Sequence, residues 1–90
     1  APRYEGEYYK IQLAALKTYS PNDKRYTAMS QFGSVQTETI LSKQMTRVLV
    51  ATFYTKDEAK RALSAVKQKG FSLAFIVKYT NGERYGRVNL

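Results

Sequence analysis

Residues that could bind or react recur at every second position in two short stretches. In Tyr8-Tyr9-Lys10-Ile11-Gln12-Leu13-Ala14, Tyr8, Lys10, Gln12 and Ala14 form one alternation class, and Tyr9, Ile11 and Leu13 form the other. In Arg47-Val48-Leu49-Val50-Ala51, Arg47, Leu49 and Ala51 alternate with Val48 and Val50. A period of two is that of a strand with one buried face. The two outward classes together hold a phenol, an ammonium, a carboxamide and a guanidinium. Cations pair with carboxylates or phosphates, and a carboxamide both donates and accepts hydrogen bonds. The set suits binding of a polar, negatively charged ligand.

The same inventory argues against catalysis. The chain has no histidine and no cysteine, so imidazole bases, thiolate nucleophiles, disulfides and thiolate metal sites are excluded. The acids are Glu5, Glu7, Asp23, Glu38, Asp57, Glu58 and Glu83. Asp57 and Glu58 belong to a helix start, and no other pair has a spacing that argues for glycoside hydrolysis. Neither G-x-x-x-x-G-K-[ST] nor G-x-G-x-x-G is present. No catalytic residue, metal site or cofactor is expected. Fifteen Lys and Arg against seven Asp and Glu give a net charge of +8, which favours an anionic partner: nucleic acid, anionic lipid or acidic polysaccharide. No run of about 18 apolar residues exists, so no membrane span is expected.

The elements that must position these side chains are legible in outline. Ninety residues, 43% hydrophobic, suit one small domain. Residues 1–6 read as a linker or frayed leader, 7–79 as the domain, and 80–90 as a return strand or a tail. Glu7 to Leu16 is a half-buried strand. Ser20-Pro21-Asn22-Asp23 starts a helix, with Ser20 as the cap and Pro21 at the first helical position. Tyr26, Met29 and Phe32 make its thin apolar stripe, and Gly33 closes it in left-handed geometry. Val35 to Leu41 is a β-branched strand of undecided facing. Met45 to Phe53 is the third strand. Thr55-Lys56-Asp57-Glu58 is a capping box, followed by Ala59, Ala62, Leu63 and Val66 on one helical face up to Gly70. Phe71 to Tyr79 is the fourth strand, with Leu73, Phe75 and Val77 toward the helices and Ala74, Ile76 and Lys78 outward. Asn81-Gly82 signals a type I′ turn and a short fifth strand at the sheet edge.

The halves echo each other. Ile11-Gln12-Leu13-Ala14-Ala15-Leu16 and Val48-Leu49-Val50-Ala51-Thr52-Phe53 are both alternating runs with small residues in their fourth and fifth places, and each precedes a helix ending at a glycine. Two strand-helix units, each followed by a strand, indicate an α+β split βαβ domain of order βαββαβ. It comprises a four-stranded antiparallel sheet with two helices on one face and a possible C-terminal hairpin extension. The other face is left for a ligand.

In this order and spacing the chain resembles the SPOR domain, the sporulation-related repeat of bacterial envelope proteins. The resemblance rests on Tyr9-Lys10-Ile11-Gln12-Leu13-Ala14-Ala15-Leu16, on Thr46-Arg47-Val48-Leu49-Val50-Ala51-Thr52-Phe53, on the helix from Thr55 to Lys69 with Glu58-Ala59, and on Ala74-Phe75-Ile76-Val77. It spans roughly Glu7 to Tyr79. Departures from the family pattern are alanines for two glycines (Ala14, Ala51), Thr52 for a proline, Leu16 for a phenylalanine and Leu49 for an arginine.

The resemblance implies a non-catalytic module that binds peptidoglycan glycan strands, in particular those stripped of stem peptides. It would act in the bacterial envelope, periplasmic or exterior, as a monomeric targeting part of a longer precursor. It also implies that Gln12 contacts the ligand, with Lys10 and Arg47 pairing with lactyl carboxylates and Tyr8 beside them. Ala14, Leu49, Ala51 and Ile76 would form a shallow apolar floor. Two other readings stay open. One is a protein-protein or dimerisation module using the same face. The other is an RNA-binding domain, disfavoured because the third strand lacks the outward aromatics of the RNA-recognition motif, so no specific nucleic acid is expected.

Overall fold

A computed structural model describes residues 6–20 and 22–88. The expectations for a leader over residues 1–5 and for Pro21 at a helix start fall outside the described residues. Five strands, β1 (Glu7–Leu16), β2 (Ser34–Ile40), β3 (Met45–Phe53), β4 (Phe75–Thr80) and β5 (Glu83–Arg87), form one sheet in the order β2-β3-β1-β4-β5. Every neighbouring pair is antiparallel. The sheet therefore has five strands and not the four of the basic expectation. The hairpin at Asn81-Gly82 forms with positive φ at both residues (51° and 87°), as a type I′ turn needs, and adds β5 at the edge. Gly6 closes onto this turn: its N–H donates to Asn81 Oδ1 at 2.7 Å, and the Asn81 N–H donates to the Gly6 carbonyl at 2.8 Å.

Helices α1 (Lys24–Thr27) and α2 (Lys56–Gln68) cover one face. Their Tyr26, Ala59, Leu63 and Val66 join Ile11, Val48, Val50 and Ile76 in the main core. Burying an aliphatic side chain of this size is worth about 1.5–3 kcal/mol each. Thr55 caps α2 as read, its Oγ1 accepting from the Glu58 N–H at 3.1 Å. The first helix is shorter than expected. Asp23, not Ser20, caps it, accepting from the Arg25 N–H at 2.9 Å. After one α turn the chain tightens into a 3-10 segment, Ala28–Gln31. Tyr26, Met29 and Phe32 are spaced by three, and three residues per turn is the geometry that keeps all of them on one side.

Gly33 also differs from expectation. Its φ is not in the left-handed region, and a β-carbon there would run into the Ala51 carbonyl oxygen and lie 3.1 Å from Val50 Cγ1. Close approach to β3, not helix closure, demands glycine.

Two register irregularities decide which side chains share a face. Between Gln12 and Ala14, β1 carries one residue more than β3. Between Tyr9 and Ile11, β3 carries the extra residue, at Ala51-Thr52. The second falls at the small pair Ala51-Thr52, and the first at Leu13, just before the small pair Ala14-Ala15. The first turns Ala14 away from the class of Gln12, so that it lies opposite Val48 and packs against the helix-side core. The facing of β4 is the reverse of that expected. Ile76 pairs with Ile11 and belongs to the helix-side core, whereas Phe75, Val77 and Tyr79 lie opposite Gln12, Lys10 and Tyr8. Directly opposed residues in an antiparallel pair point to the same side, and this pairing overrides a pattern that is apolar on both faces. Residues 71–74 form a turn, closed by Ala74 N–H to the Phe71 carbonyl, and leave Leu73 87% exposed.

Gly33→Ala is expected to destabilise the fold by about 1–3 kcal/mol, because overpacking against a backbone carbonyl is not relieved by rotating a side chain. Denaturant unfolding measures this; an unchanged midpoint would show that residue 33 moves freely from β3.

Candidate functional site

The sheet face away from the helices is organised around one carboxylate. Val35 on β2 packs into the helix-side core, so its neighbours in the strand, Gln36 and Glu38, take the opposite face. Glu38 pairs with Arg47 in register, and their side chains meet at 3.8 Å. Lys10 Nζ of β1 lies 3.5 Å from Glu38 Oε2, and Arg84 of β5 donates to Glu38 Oε1 at 3.5 Å. The Tyr79 hydroxyl of β4 donates to Glu38 Oε2. One side chain on an edge strand is thus tied to each of the other four strands. Since β3 and β1 lie between β2 and β4, the Glu38–Tyr79 contact arches over both.

The remaining polar atoms join the same network. Arg84 donates from its second nitrogen to Gln12 Oε1 at 2.9 Å. Lys10 Nζ sits 4.6 Å from the centre of the Tyr79 ring, within cation–π range. Tyr79 stacks on Tyr8 with centroids 5.3 Å apart. Farther along the face, the Arg87 guanidinium lies 4.6 Å over the Phe75 ring. Lys10, Arg47 and Arg84 set three positive charges around one negative. Their side chains keep 13, 27 and 26% of their surface accessible, enough to be reached from solution.

Burial raises the Tyr79 phenol above its ordinary value of 10.0, and the hydrogen bond to Glu38 and that carboxylate's charge push it the same way. The cluster therefore holds this phenol protonated and donating across the physiological range.

The structure brings Lys10, Gln12, Arg47 and Tyr8 onto one face, as the alternation indicates, but changes what several of them present. Tyr8 is 3% exposed, buried with Val77 and Tyr79 rather than offered to a ligand. Leu49 lies on this face between Gln12 and Gln36 yet is fully buried, and Ala51 is buried as well, so neither forms an open floor. Ala14 and Ile76 are on the helix side, turned there by the β1 irregularity and by the pairing with Ile11. Glu38, Tyr79 and Arg84 were not singled out as site residues from the sequence. The Asn81-Gly82 turn is the signal that could have placed Arg84 opposite Tyr79. No comparable signal fixed the facing of β2.

The SPOR domain family model matches residues 5–78, and the chain belongs to that family. The family is one of peptidoglycan-binding modules found in envelope proteins, not of catalysts. No curated protein and no solved structure matches the chain in the same comparisons. Among the described residues no helix is long and apolar enough to cross a membrane.

Tyr79→Phe removes a hydrogen bond to a charged acceptor and is expected to cost about 1–3 kcal/mol. The raised phenol value adds a pH signature. Stability from this group is intact below pH 10.0, the ordinary phenol value, and is lost above it, because the unfolded chain releases the proton first. Thermal unfolding from neutral to alkaline pH should show wild type losing its advantage over Tyr79→Phe above about pH 10. A constant difference across that range would place the phenol outside the Glu38 network.

Proposed function

We propose that the Glu38-centred face binds the glycan strands of peptidoglycan, preferring strands stripped of stem peptides, and so directs a larger envelope protein to the cell wall or septum. The observation that carries this reading is the group of three accessible cations, Lys10, Arg47 and Arg84, beside the carboxamide of Gln12. A denuded glycan is a regular polyanion with one lactyl carboxylate per disaccharide and acetamido groups between. The cations supply the counter-charge, and Glu38 holds them at fixed spacing before any ligand arrives, so less ordering is lost on binding. Stem peptides would block the carboxylates chemically, because the lactyl group then becomes an amide.

The geometry suits an extended ligand. The network crosses the sheet from β2 to β5, and at its β5 end Arg84 borders an open cavity of about 380 Å³. A cavity of about 430 Å³ lies on the helix side, lined by Tyr26, Met29, Phe71 and Leu73 among others, and shares none of the cluster residues.

Co-sedimentation with sacculi before and after amidase treatment, at low and moderate salt, tests the proposal. Binding should rise when stem peptides are removed. Arg47→Gln should weaken it roughly three- to tenfold at low salt, and should flatten its salt dependence, since one counter-charge is lost. Equal binding to both preparations, erased by salt, would reduce the interaction to general basic adhesion and overturn the reading.

A further inference from the structure

The carboxamide of Gln12 has a fixed direction. Arginine has five donors and no acceptor, so the atom 2.9 Å from the Arg84 guanidinium must be the amide oxygen. Arg84 is itself held, by its other terminal nitrogen, on Glu38 at 3.5 Å. The amide therefore cannot turn over without losing that bond. Gln12 is 8% exposed, and its Nε2 donates to nothing among the described residues. Among the described residues no buried side-chain nitrogen or oxygen is left without a partner, so Nε2 must reach solvent. Gln12 thus presents a small window in which only a donor is offered.

We infer that this window selects a neutral hydrogen-bond acceptor on the ligand, the carbonyl of an N-acetyl group, and that the domain discriminates against de-N-acetylated glycan, with Arg84 as the positioning residue. The inference rests on the glycan reading above. Within that ligand the carboxylates are drawn to Lys10, Arg47 and Arg84, whose charges reach them at longer range. That leaves the uncharged NH₂ of Gln12 for the uncharged carbonyl. Removing the acetyl group takes away the acceptor and leaves an ammonium, which can only donate. Facing Nε2, two donors meet and neither is satisfied. The new positive charge also faces three cations. A free amide on an unconstrained surface glutamine would merely turn its oxygen toward the ammonium, so the discrimination depends on the Arg84 bond.

The test uses denuded sacculi in three forms: native, chemically de-N-acetylated, and re-acetylated with acetic anhydride. Wild type should bind the de-N-acetylated form about tenfold or more weakly, with recovery on re-acetylation. Gln12→Met is of similar size and leaves the charge unchanged, so the ratio that remains in it is the part due to charge alone. That ratio should be several-fold smaller than in wild type. Arg84→Lys keeps the charge but loses the two-pronged hold, and should shrink the ratio likewise whatever it does to binding of native glycan. A merely structural role for Arg84 would lower binding to all three forms equally. Should wild type bind all three alike, or Gln12→Met keep the wild-type ratio, the inference is overturned while the glycan reading stands. Should wild type bind none of them, the glycan reading itself falls.

Discussion

The Glu38 carboxylate is the constraint on which the sheet face away from the helices depends. It sits on an edge strand and contacts side chains from the other four strands, joining the sheet across its width. Three cations brought together without it would repel one another. With it, each has a partner and the group as a whole remains positive. Such a network stabilises little relative to an apolar face of the same shape, since desolvating the ions offsets much of their attraction. Its consequence is geometric: Lys10, Arg47 and Arg84 are held in place, and through Arg84 so is the amide of Gln12.

The two faces of the sheet follow different rules. On the helix side, β-branched and aliphatic residues pack against α1 and α2 with exposures at or near zero, and the energy comes from removing apolar area from water. On the other side, Leu49, Val77, Tyr8 and Tyr79 are buried too, but beneath a layer of polar side chains long enough to arch over them. Lys10 and Arg87 lie over aromatic rings there, so their charged ends remain near solvent while the face below is covered. This is how a chain with so many apolar and aromatic residues keeps a hydrophilic sheet face.

The two irregularities between β1 and β3 decide which side chains share a face. The small residues Ala14-Ala15 and Ala51-Thr52 occupy matching places in the two runs; a shift in register falls at Ala51-Thr52, and another at Leu13, immediately before Ala14. A shift of one residue moves every following side chain to the other face. Gln12 stays on the face of Glu38 because it precedes the irregularity at Leu13, and Ala14 leaves it because it follows. Gly33 belongs to the same region, since only a residue without a β-carbon fits against the Ala51 carbonyl.

The sequence by itself determined what local periodicity and chain punctuation can specify: the βαββαβ order, the helix cap at Thr55, the hairpin turn at Asn81-Gly82, and the sharing of one face by Lys10, Gln12 and Arg47. Each depends on residues close together in the chain, except that bringing Arg47 onto the face of Lys10 and Gln12 also needs the β1–β3 pairing. Where both alternation classes were apolar, as in Phe75-Ile76-Val77, or both mixed, as in β2, periodicity offered no choice, and cross-strand pairing made it. Only the tertiary structure decided that Ile76 faces the helices, that Leu49 and Tyr8 are covered, and that Glu38 is the centre of the polar network on the opposite face. The physical reason is separation along the chain. Glu38 meets Tyr79 and Arg84 across 41 and 46 residues, and Gln12 meets Arg84 across 72; contacts of that span exist only once the sheet has brought its five strands together.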